Sequence, residues 1–592
     1  MDLNKEQHAA IFSQSKHNLI LAGAGTGKTR VIIKRIEELI KQGVAPSRIV
    51  STTFTNKAAK ELKERLAEAI GDSAYSIICG TFHRISANLL KLHGHHIGIE
   101  PDFQILTEDD QSRLIKSIAK DLGEPTKHPR KISDQISTYK ESGKKNPKDH
   151  FFSQLFDIYS NELTKRKFLD YSDLIAKVIF LFEKFPDLAA QIADHVLVDE
   201  YQDINESQYK WISLISKGKH LFCVGDEDQS IYAFRGANIR YIRKFQEDYP
   251  DAFIVQLEEN YRSCKEILKG ATNLIQKNPR KFEKKLRAFS QEAGVMKVTK
   301  SFNEYEEARL VAKLVAKAKE EHSGASIGIL VRTNMQTHYI EHALMEAQIP
   351  YEMASGRKFY SQKVVQDLVA YLRIILFPHD YFAFSRILNT PKRGFGEAKL
   401  EGLVNAMKSF DFECEDALAS LLPQLPRATA EKCKVFLMQI QDWRKQLKQG
   451  IKLDDLMQKI VTDIQYDKQD TFKDGQVEAF ESLKNHLKNE KSLDEFLANL
   501  QFSSNENQEQ VQMMTIHAAK GLEFDVVIAP GWEEMVFPSA LSKTKEEVEE
   551  ERRLAYVAIT RARKVLEITY CCSRRVHGKY SNQMPSRFIF DL

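Results

Sequence analysis

The run Ala22-Gly23-Ala24-Gly25-Thr26-Gly27-Lys28-Thr29 limits what this chain can fold into more than any other stretch of it. An apolar run, Asn18 to Gly23, leads into it as a buried strand would, and a helical pattern follows. In that strand–turn–helix setting the loop reads as a phosphate cradle. Glycines let backbone N–H groups wrap a phosphate, and the helix N-terminus adds positive potential. Lys28 is spaced to reach the β- and γ-phosphates of a nucleotide, and Thr29 to ligate Mg²⁺. The strict pattern opens on glycine, whereas Ala22 stands at that position here.

A magnesium–nucleotide site also needs carboxylates. Val196-Leu197-Val198-Asp199-Glu200 supplies two at the end of another strand. Asp199 suits Mg²⁺, held through water, and Glu200 suits a base that orients and deprotonates the attacking water. Loop and carboxylates together point to a nucleotide hydrolase.

Strand and helix patterns alternate around these motifs. Ile49 to Phe54 reads as a strand, and Asn56 to Ile70 as a helix with Ala58, Ala59, Leu62, Leu66 and Ile70 on one face. Asn56 is the expected N-cap and Gly71 the stop. Such alternation implies an α/β fold with a parallel sheet. The strand run Ser76 to Phe82 gives way to a long, polar, mostly helical stretch. Strands resume at His195 to Glu200, His220 to Asp226 and Ala252 to Gln256. A second strand set, at Met296 to Ser301, Ile327 to Arg332 and Tyr351 to Ala354, stops near Phe377 and resumes at Val511, Val526 and Val565.

Two sheet domains, each interrupted by a mainly helical insertion, are therefore expected. The boundaries read as 1–84 with 194–260 for the first sheet domain and 85–193 for its insertion. The second sheet domain takes 261–376 with 508–592, and its insertion 377–507. A length of 592 residues suits about four compact units. The acidic run Glu546 to Glu551 is expected to front a solvated loop and the first turn of a helix.

Composition adds exclusions. Hydrophobic residues at 42% and charged residues at 28% are ordinary for globular domains and argue against wholesale disorder. No apolar run is long enough for a membrane span; the best, Leu368 to Phe377, carries Arg373. The N-terminus lacks the pattern of a secretory leader, so a soluble, cytoplasmic protein is expected. Seven cysteines without a CxxC pair suggest neither disulfides nor zinc. A net charge of +4 does not by itself identify a nucleic-acid binder, although Lys277 to Arg287 is strongly basic.

Further motifs, in order, resemble those of the UvrD/PcrA/Rep type of superfamily 1 DNA helicase. Leu3-Asn4-Lys5-Glu6-Gln7 is similar to that family's adenine-reading motif, and Gly23 to Arg30 to its first helicase motif. Thr53 to Ala59, Gly80-Thr81-Phe82-His83, Asp199 to Asp203, Val224 to Tyr232 and Glu259 to Ser263 follow, then Thr515 to Phe524 and Tyr556 to Ala562. Pro585 to Ile589 resembles the end of the family's second motor domain. The longer tail of many relatives is not expected here, nor a nuclease domain.

The resemblance implies two RecA-like, P-loop motor domains that clamp ATP between them. It assigns Ala22 to Arg30, with Gln7 and Tyr261, to ATP, the adenine falling to Gln7, Arg30 and Tyr261. Glu523 falls to the ribose hydroxyl, and Gln229, Arg262 and Arg561 to the γ-phosphate. An amide can pair with an adenine edge, and guanidinium and phenol faces can stack on it; two arginines would stabilise transition-state charge.

Tyr232-Ala233-Phe234-Arg235 mixes aromatic and basic residues as a sequence-tolerant single-strand track does. Phe54, Asn56, Thr81, His83, Arg332, Asn334 and His517 are further DNA candidates. Arg574 to Lys579 resembles a family hairpin in which His577 takes the place of a duplex-stacking aromatic. The implied activity is ATP- and Mg²⁺-dependent DNA translocation and unwinding, 3′ to 5′, in repair, recombination or replication. Its partners would be single strands and single-strand/duplex junctions. An alternative is a translocase that strips proteins from DNA, or serves a larger repair or defence complex, with little unwinding of its own.

Overall fold

The computed structural model of the chain describes residues 3–126, 128–142, 149–347, 349–353, 363–395, 413–466, 480, 483–484, 487–488, 492–499, 511–576 and 579–592. The first sheet begins with β1 (His17–Ala22), β2 (Ile49–Thr53) and β3 (Ile78–Thr81). A small parallel pair, β4 (Gln104–Ile105) and β5 (Phe168–Leu169), lies in the helical stretch that follows. The first sheet then resumes with β6 (His195–Val198), β7 (His220–Gly225) and β8 (Phe253–Leu257), in the order β3-β2-β6-β7-β1-β8, every pair parallel.

A two-stranded parallel ribbon, β9 (Glu259–Asn260) with β10 (Arg287–Ala288), leads to the second sheet. That sheet contains β11 (Val295–Asn303), β12 (Ile327–Val331), β13 (Tyr351–Met353), β14 (Val511–Thr515), β15 (Phe524–Ala529) and β16 (Ala562–Val576). Its order is β11-β16-β15-β12-β14-β13, and β17 (Lys579–Asn582) adds an antiparallel pairing to β16.

Central strands such as β1 and β12 are continuous apolar runs because helices cover both faces of the sheet there, whereas the edge strand β11 is largely exposed. Along β1 the period of two sends Leu19 and Leu21 into one core layer and Ile20 and Ala22 into the other. β12 divides likewise, with Leu330 on one side and Ile329 and Val331 on the other. Two α/β units with parallel sheets result, as two RecA-like motor domains require.

Helices from the two interrupting stretches share one core. Ile115, Leu155 and Tyr159 of the first pack in the same cluster as Phe436 and Trp443 of the second, and Leu368, just ahead of the second stretch, joins them. The helix Lys363–Leu376, which contains the most apolar run of the sequence, is buried there and is not a membrane element. Its Arg373 pairs with Asp110 at 2.9 Å and Asp380 at 2.7 Å. No described helix is long and apolar enough to cross a membrane.

Two local expectations are corrected. Thr55, not Asn56, caps the helix Asn56–Ile70: its backbone is extended and its hydroxyl accepts from Ala58 N at 3.1 Å, which leaves Asn56 as the first helical residue. The acidic run is only partly solvated. Thr544 caps the helix Lys545–Ile559, and Glu546 and Glu547 occupy its first turn. One turn on, Glu551 is buried against Arg332.

Candidate active site

Every parallel strand of a doubly wound sheet delivers its C-terminal end to one edge, where ligands bind. At that edge of the first sheet, the loop after β1 turns through Gly25 (φ +68°) and Gly27 (φ +88°) into the helix Lys28–Lys41. These positive φ values suit glycine and aim successive N–H groups inward. A side chain at Gly25 would also meet Arg262 Cβ at 2.6 Å. Thr26 closes the loop by donating from Oγ1 to Gly23 O at 2.9 Å.

The loop lines a cavity of about 1020 Å³ that also receives groups from the second sheet. Lys28 Nζ stands 3.5 Å from Glu200 Oε2. Glu200 sits just past β6 in a left-handed conformation (φ +51°), a strained backbone that recurs at functional sites. Burial alone would raise its carboxyl, but Lys28 and Lys520 outweigh that and hold it at about 2. Asp199 is pushed up to about 7 by burial and then by the Glu200 charge. It accepts from Glu200 N at 2.9 Å and has no ion-pair partner among the described residues.

Across the cavity the second sheet contributes cations. Arg561 is fully buried at the end of the helix Lys545–Ile559. It donates to Val557 O and Leu522 O, both at 3.0 Å, and to Thr560 Oγ1 at 3.2 Å. Burial, then neighbouring Arg262, lowers it to about 9. Arg262 donates from Nε to Glu523 Oε2 at 2.5 Å, and Arg563 grips the other oxygen of the same carboxylate. Burial works against ionised Glu523, yet the two arginines hold it at about 2.

The segment around Arg262 ties both sheets together. Asn260 donates to Ala24 O at 2.6 Å, Tyr261 N to Gly25 O at 2.9 Å, and Ser263 Oγ to Ala562 O at 2.7 Å. Tyr261 lines the cavity beside Phe289, with ring centroids 4.9 Å apart, and Arg30 lines it too. Gln7, one of the adenine candidates, sits against the loop. It is fully buried, its amide spanning Asn4 N at 3.3 Å and Thr26 O at 3.1 Å, and so braces the loop from behind.

Lys520, within the Thr515–Phe524 motif, is the site residue that the sequence signals least. It is buried, donates to Gln229 O at 2.6 Å, pairs with Asp203 and lies 4.0 Å from Glu200. A cation from the second sheet thus enters the carboxylate cluster of the first. A lysine beside a glycine in the motif was its only sequence signal.

Beside the cavity lies an aromatic cluster. Phe54, just past β2, stacks on Tyr232 with centroids 4.8 Å apart and rings 19° from parallel. Tyr232 is buried and donates from its hydroxyl to His517 O at 3.1 Å. Phe234 is 66% exposed, set edge-on to His517 at 5.3 Å. The Arg235 guanidinium lies 5.4 Å from the Tyr232 ring centre and 5.6 Å from that of Phe234. Lys520 stands over the other reach of Tyr232 at 5.1 Å, so one ring borders both the carboxylates and the aromatic strip.

The remaining DNA candidates lie at the C-terminal ends of strands in both sheets, Thr81 and His83 at β3 and Arg332 and Asn334 past β12. Thr81, last residue of β3, places Oγ1 3.4 Å from Asn56 Oδ1. His83 packs on Tyr171, and burial lowers it to about 4. His517 also falls to about 4, through burial and then Arg332. Asn334 is exposed on a short 3-10 turn, while Arg332 is paired with Glu551. His577 lies outside the described residues. Arg574, at the start of the expected hairpin, is buried between Glu307 and Glu533.

Comparison with known proteins agrees with this geometry. A family model of the UvrD/REP helicase N-terminal domain matches residues 3–250, and one of the UvrD-like helicase C-terminal domain matches residues 255–573. Proteins named ATP-dependent DNA helicase PcrA, from Staphylococcus epidermidis and Staphylococcus aureus, are each 36% identical to the chain. Both alignments cover 100% of the chain and 86% of the relative. By motif, sheet topology and full-length similarity alike, the chain belongs to the UvrD/REP helicase family.

Proposed function

We propose that this chain is an ATP-dependent DNA helicase that moves 3′ to 5′ along a single strand and unwinds the duplex ahead. One observation carries the reading: a phosphate loop and a paired Lys28–Glu200 face Arg262 and Arg561 across a single cavity lined by both sheets. In-line phosphoryl transfer needs this arrangement, with a base on one side of the γ-phosphate and cations on the other.

The chain's own groups divide the work. Backbone N–H groups from Gly25 to Lys28 cradle the phosphates, and the Lys28 ammonium balances their charge. Glu200, ionised and turned out of the strand, takes a proton from water. Arg561 and Arg262 neutralise charge as it shifts to the leaving oxygen. Glu523 is the ribose candidate, reached once Arg262 transfers its contact to phosphate. The residues present also fit a magnesium ion, since Asp199 is a half-buried carboxylate with no ion-pair partner among the described residues and Thr29 offers a hydroxyl from the first helical turn. When bound, Mg²⁺ would supply Lewis-acid neutralisation of the phosphates.

The sheets support motor domains over 1–84 with 194–260 and over 261–376 with 508–592, and insertions over 85–193 and 377–507. Closure of the cavity would move Tyr232 with Lys520 and so couple ATP to the aromatic strip. There Phe54, Tyr232, Phe234 and His517 face the bases, and Asn56, Thr81, His83, Arg235, Arg332 and Asn334 the backbone. Strand displacement on 3′-tailed and 5′-tailed duplexes, with DNA-stimulated ATP hydrolysis in parallel, tests the reading. Unwinding of the 3′-tailed substrate is expected. Absence of DNA-stimulated hydrolysis, or preference for the 5′ tail, would overturn it.

A further inference from the structure

Three acidic residues in succession, Asp226, Glu227 and Asp228, follow β7, and all three are buried. Buried carboxylates require partners. Glu227 accepts from Phe282 N at 2.9 Å and pairs with Arg243 at 2.8 Å. Asp228 pairs with Arg280 and with Lys284, each at 3.1 Å. Asp226 pairs with Lys284, itself only 4% exposed. Arg280, Phe282 and Lys284 all lie on the connection between β9 and β10, the chain that leads from one sheet to the other.

Asp226 also sets the direction of a side chain in the cavity. Its Oδ1 accepts from Asp228 N at 3.1 Å and caps the short turn Glu227–Gln229, while Oδ2 accepts from Gln229 Nε2 at 2.6 Å. Gln229 lines the cavity, and with its nitrogen committed to Asp226 the amide oxygen is the atom left to serve it. An oxygen there accepts a hydrogen bond from water, whereas a flipped amide would offer only donors. The Asp226 backbone reaches the base as well: its N–H donates to Gln202 Oε1 at 2.8 Å, and Gln202 Nε2 donates to Glu200.

We propose that Lys284, on the connection between the two sheets, is a positioning residue for ATP hydrolysis: paired with Asp226, it keeps the Gln229 amide oxygen facing the attacking water. This rests on the hydrolytic reading above. Without the ammonium, a carboxyl this buried tends to protonate; beside Lys284 it stays below the usual carboxylate range. The cation sits on the inter-sheet connection, so any shift of one sheet against the other that moves Arg280 to Lys284 is felt at Gln229. Neither Lys284 nor Asp226 need touch the nucleotide.

The test is a double-mutant cycle between Lys284→Met and Gln229→Ala, read as kcat and KM of DNA-stimulated ATP hydrolysis with single-strand affinity and melting temperature alongside. Lys284→Met is expected to lower kcat about tenfold or more while KM stays within about threefold, and the double variant to be no slower than Gln229→Ala alone. Should Lys284→Met not fold, Lys284→Gln, neutral but polar, carries the same expectation. Folded variants with wild-type kcat, or losses that multiply in the double variant, would overturn the proposal. Failure of the underlying reading looks different: the wild-type chain itself would not hydrolyse ATP.

Discussion

On the first-sheet side of the cavity, catalytic groups are placed by backbone. Lys28 and Thr29 open a helix behind two left-handed glycines, and Asp199 and Glu200 terminate a central strand. On the other side, the cations are placed largely by carboxylates: Glu523 holds Arg262 and Arg563, and Asp203 holds Lys520. The first side is largely preorganised: backbone fixes the loop N–H groups, and only the 3.5 Å Lys28–Glu200 contact must give way for phosphate to enter. On the second side a phosphate must compete with Glu523 for Arg262 and Arg563, so nucleotide affinity belongs mainly to the first side and closure, with turnover, to the second. Arg561 stands apart on that side, held by carbonyl and hydroxyl oxygens and free to add its charge to a transition state without breaking an ion pair.

The sharpest way to break this division is Arg561→Ala. Loss of an arginine that stabilises phosphoryl transfer is expected to lower kcat about 10³-fold, while ATP binding, followed with a fluorescent analogue, changes little. A proportionate loss of binding would show that affinity is shared between the sheets. Glu200→Gln comes next. Removing the base should cost about 10²-fold or more in kcat and spare DNA and ATP binding, since Lys28 remains on the loop. DNA-stimulated hydrolysis within a few-fold of wild type would remove Glu200 from the role.

What could be read in advance follows the same line. The loop, the carboxylates and the alternation of strands are local in sequence, and the residues that make them lie within a few positions of each other. Expectation and structure coincide there, down to β1 and β6 feeding Lys28 and Glu200 into one cavity. The second side is built from pairs distant in sequence. Lys520 meets Asp203 across 317 positions and Arg262 meets Glu523 across 261, and no periodicity reports such a partner. Lys284 belongs to a block whose only sequence signal is its basic charge, yet it is buried because the turn after β7 supplies carboxylates. Gln7 carries the motif's resemblance to an adenine contact, but its bracing of the loop through Asn4 and Thr26 has no signal in the motif.

Tyr261 and Arg262 sharpen the comparison at single-residue resolution, because adjacent side chains serve opposite sides. Tyr261 borders the cavity as an aromatic wall, and stacking on a base is uniform through the reaction. Tyr261→Ala should raise KM for ATP about fivefold with little effect on kcat, given the usual worth of an aromatic pair. Arg262→Ala should chiefly lower kcat. Equal changes in the same parameter would mean that the segment acts as one unit.

The smallest effect is expected where the ion-pair logic extends to DNA. Arg332 and Arg235 are both basic residues of the proposed track, but Arg332 is committed to Glu551, which accepts its Nε at 2.9 Å, whereas Arg235 is exposed above two rings. A cation already neutralised by a buried carboxylate releases few counterions when phosphate arrives. Titrating single-stranded DNA at several salt concentrations separates the two, since each phosphate contact adds about one to the slope of log affinity against log salt. Arg235→Ala should reduce that slope by about one, and Arg332→Ala by much less. Glu551→Gln, which leaves Arg332 unneutralised, should steepen the slope. If Arg332→Ala reduced it as much as Arg235→Ala, the Glu551 pair would be giving way to phosphate. The contrast between backbone-placed and carboxylate-placed groups would then stop at the ATP cavity.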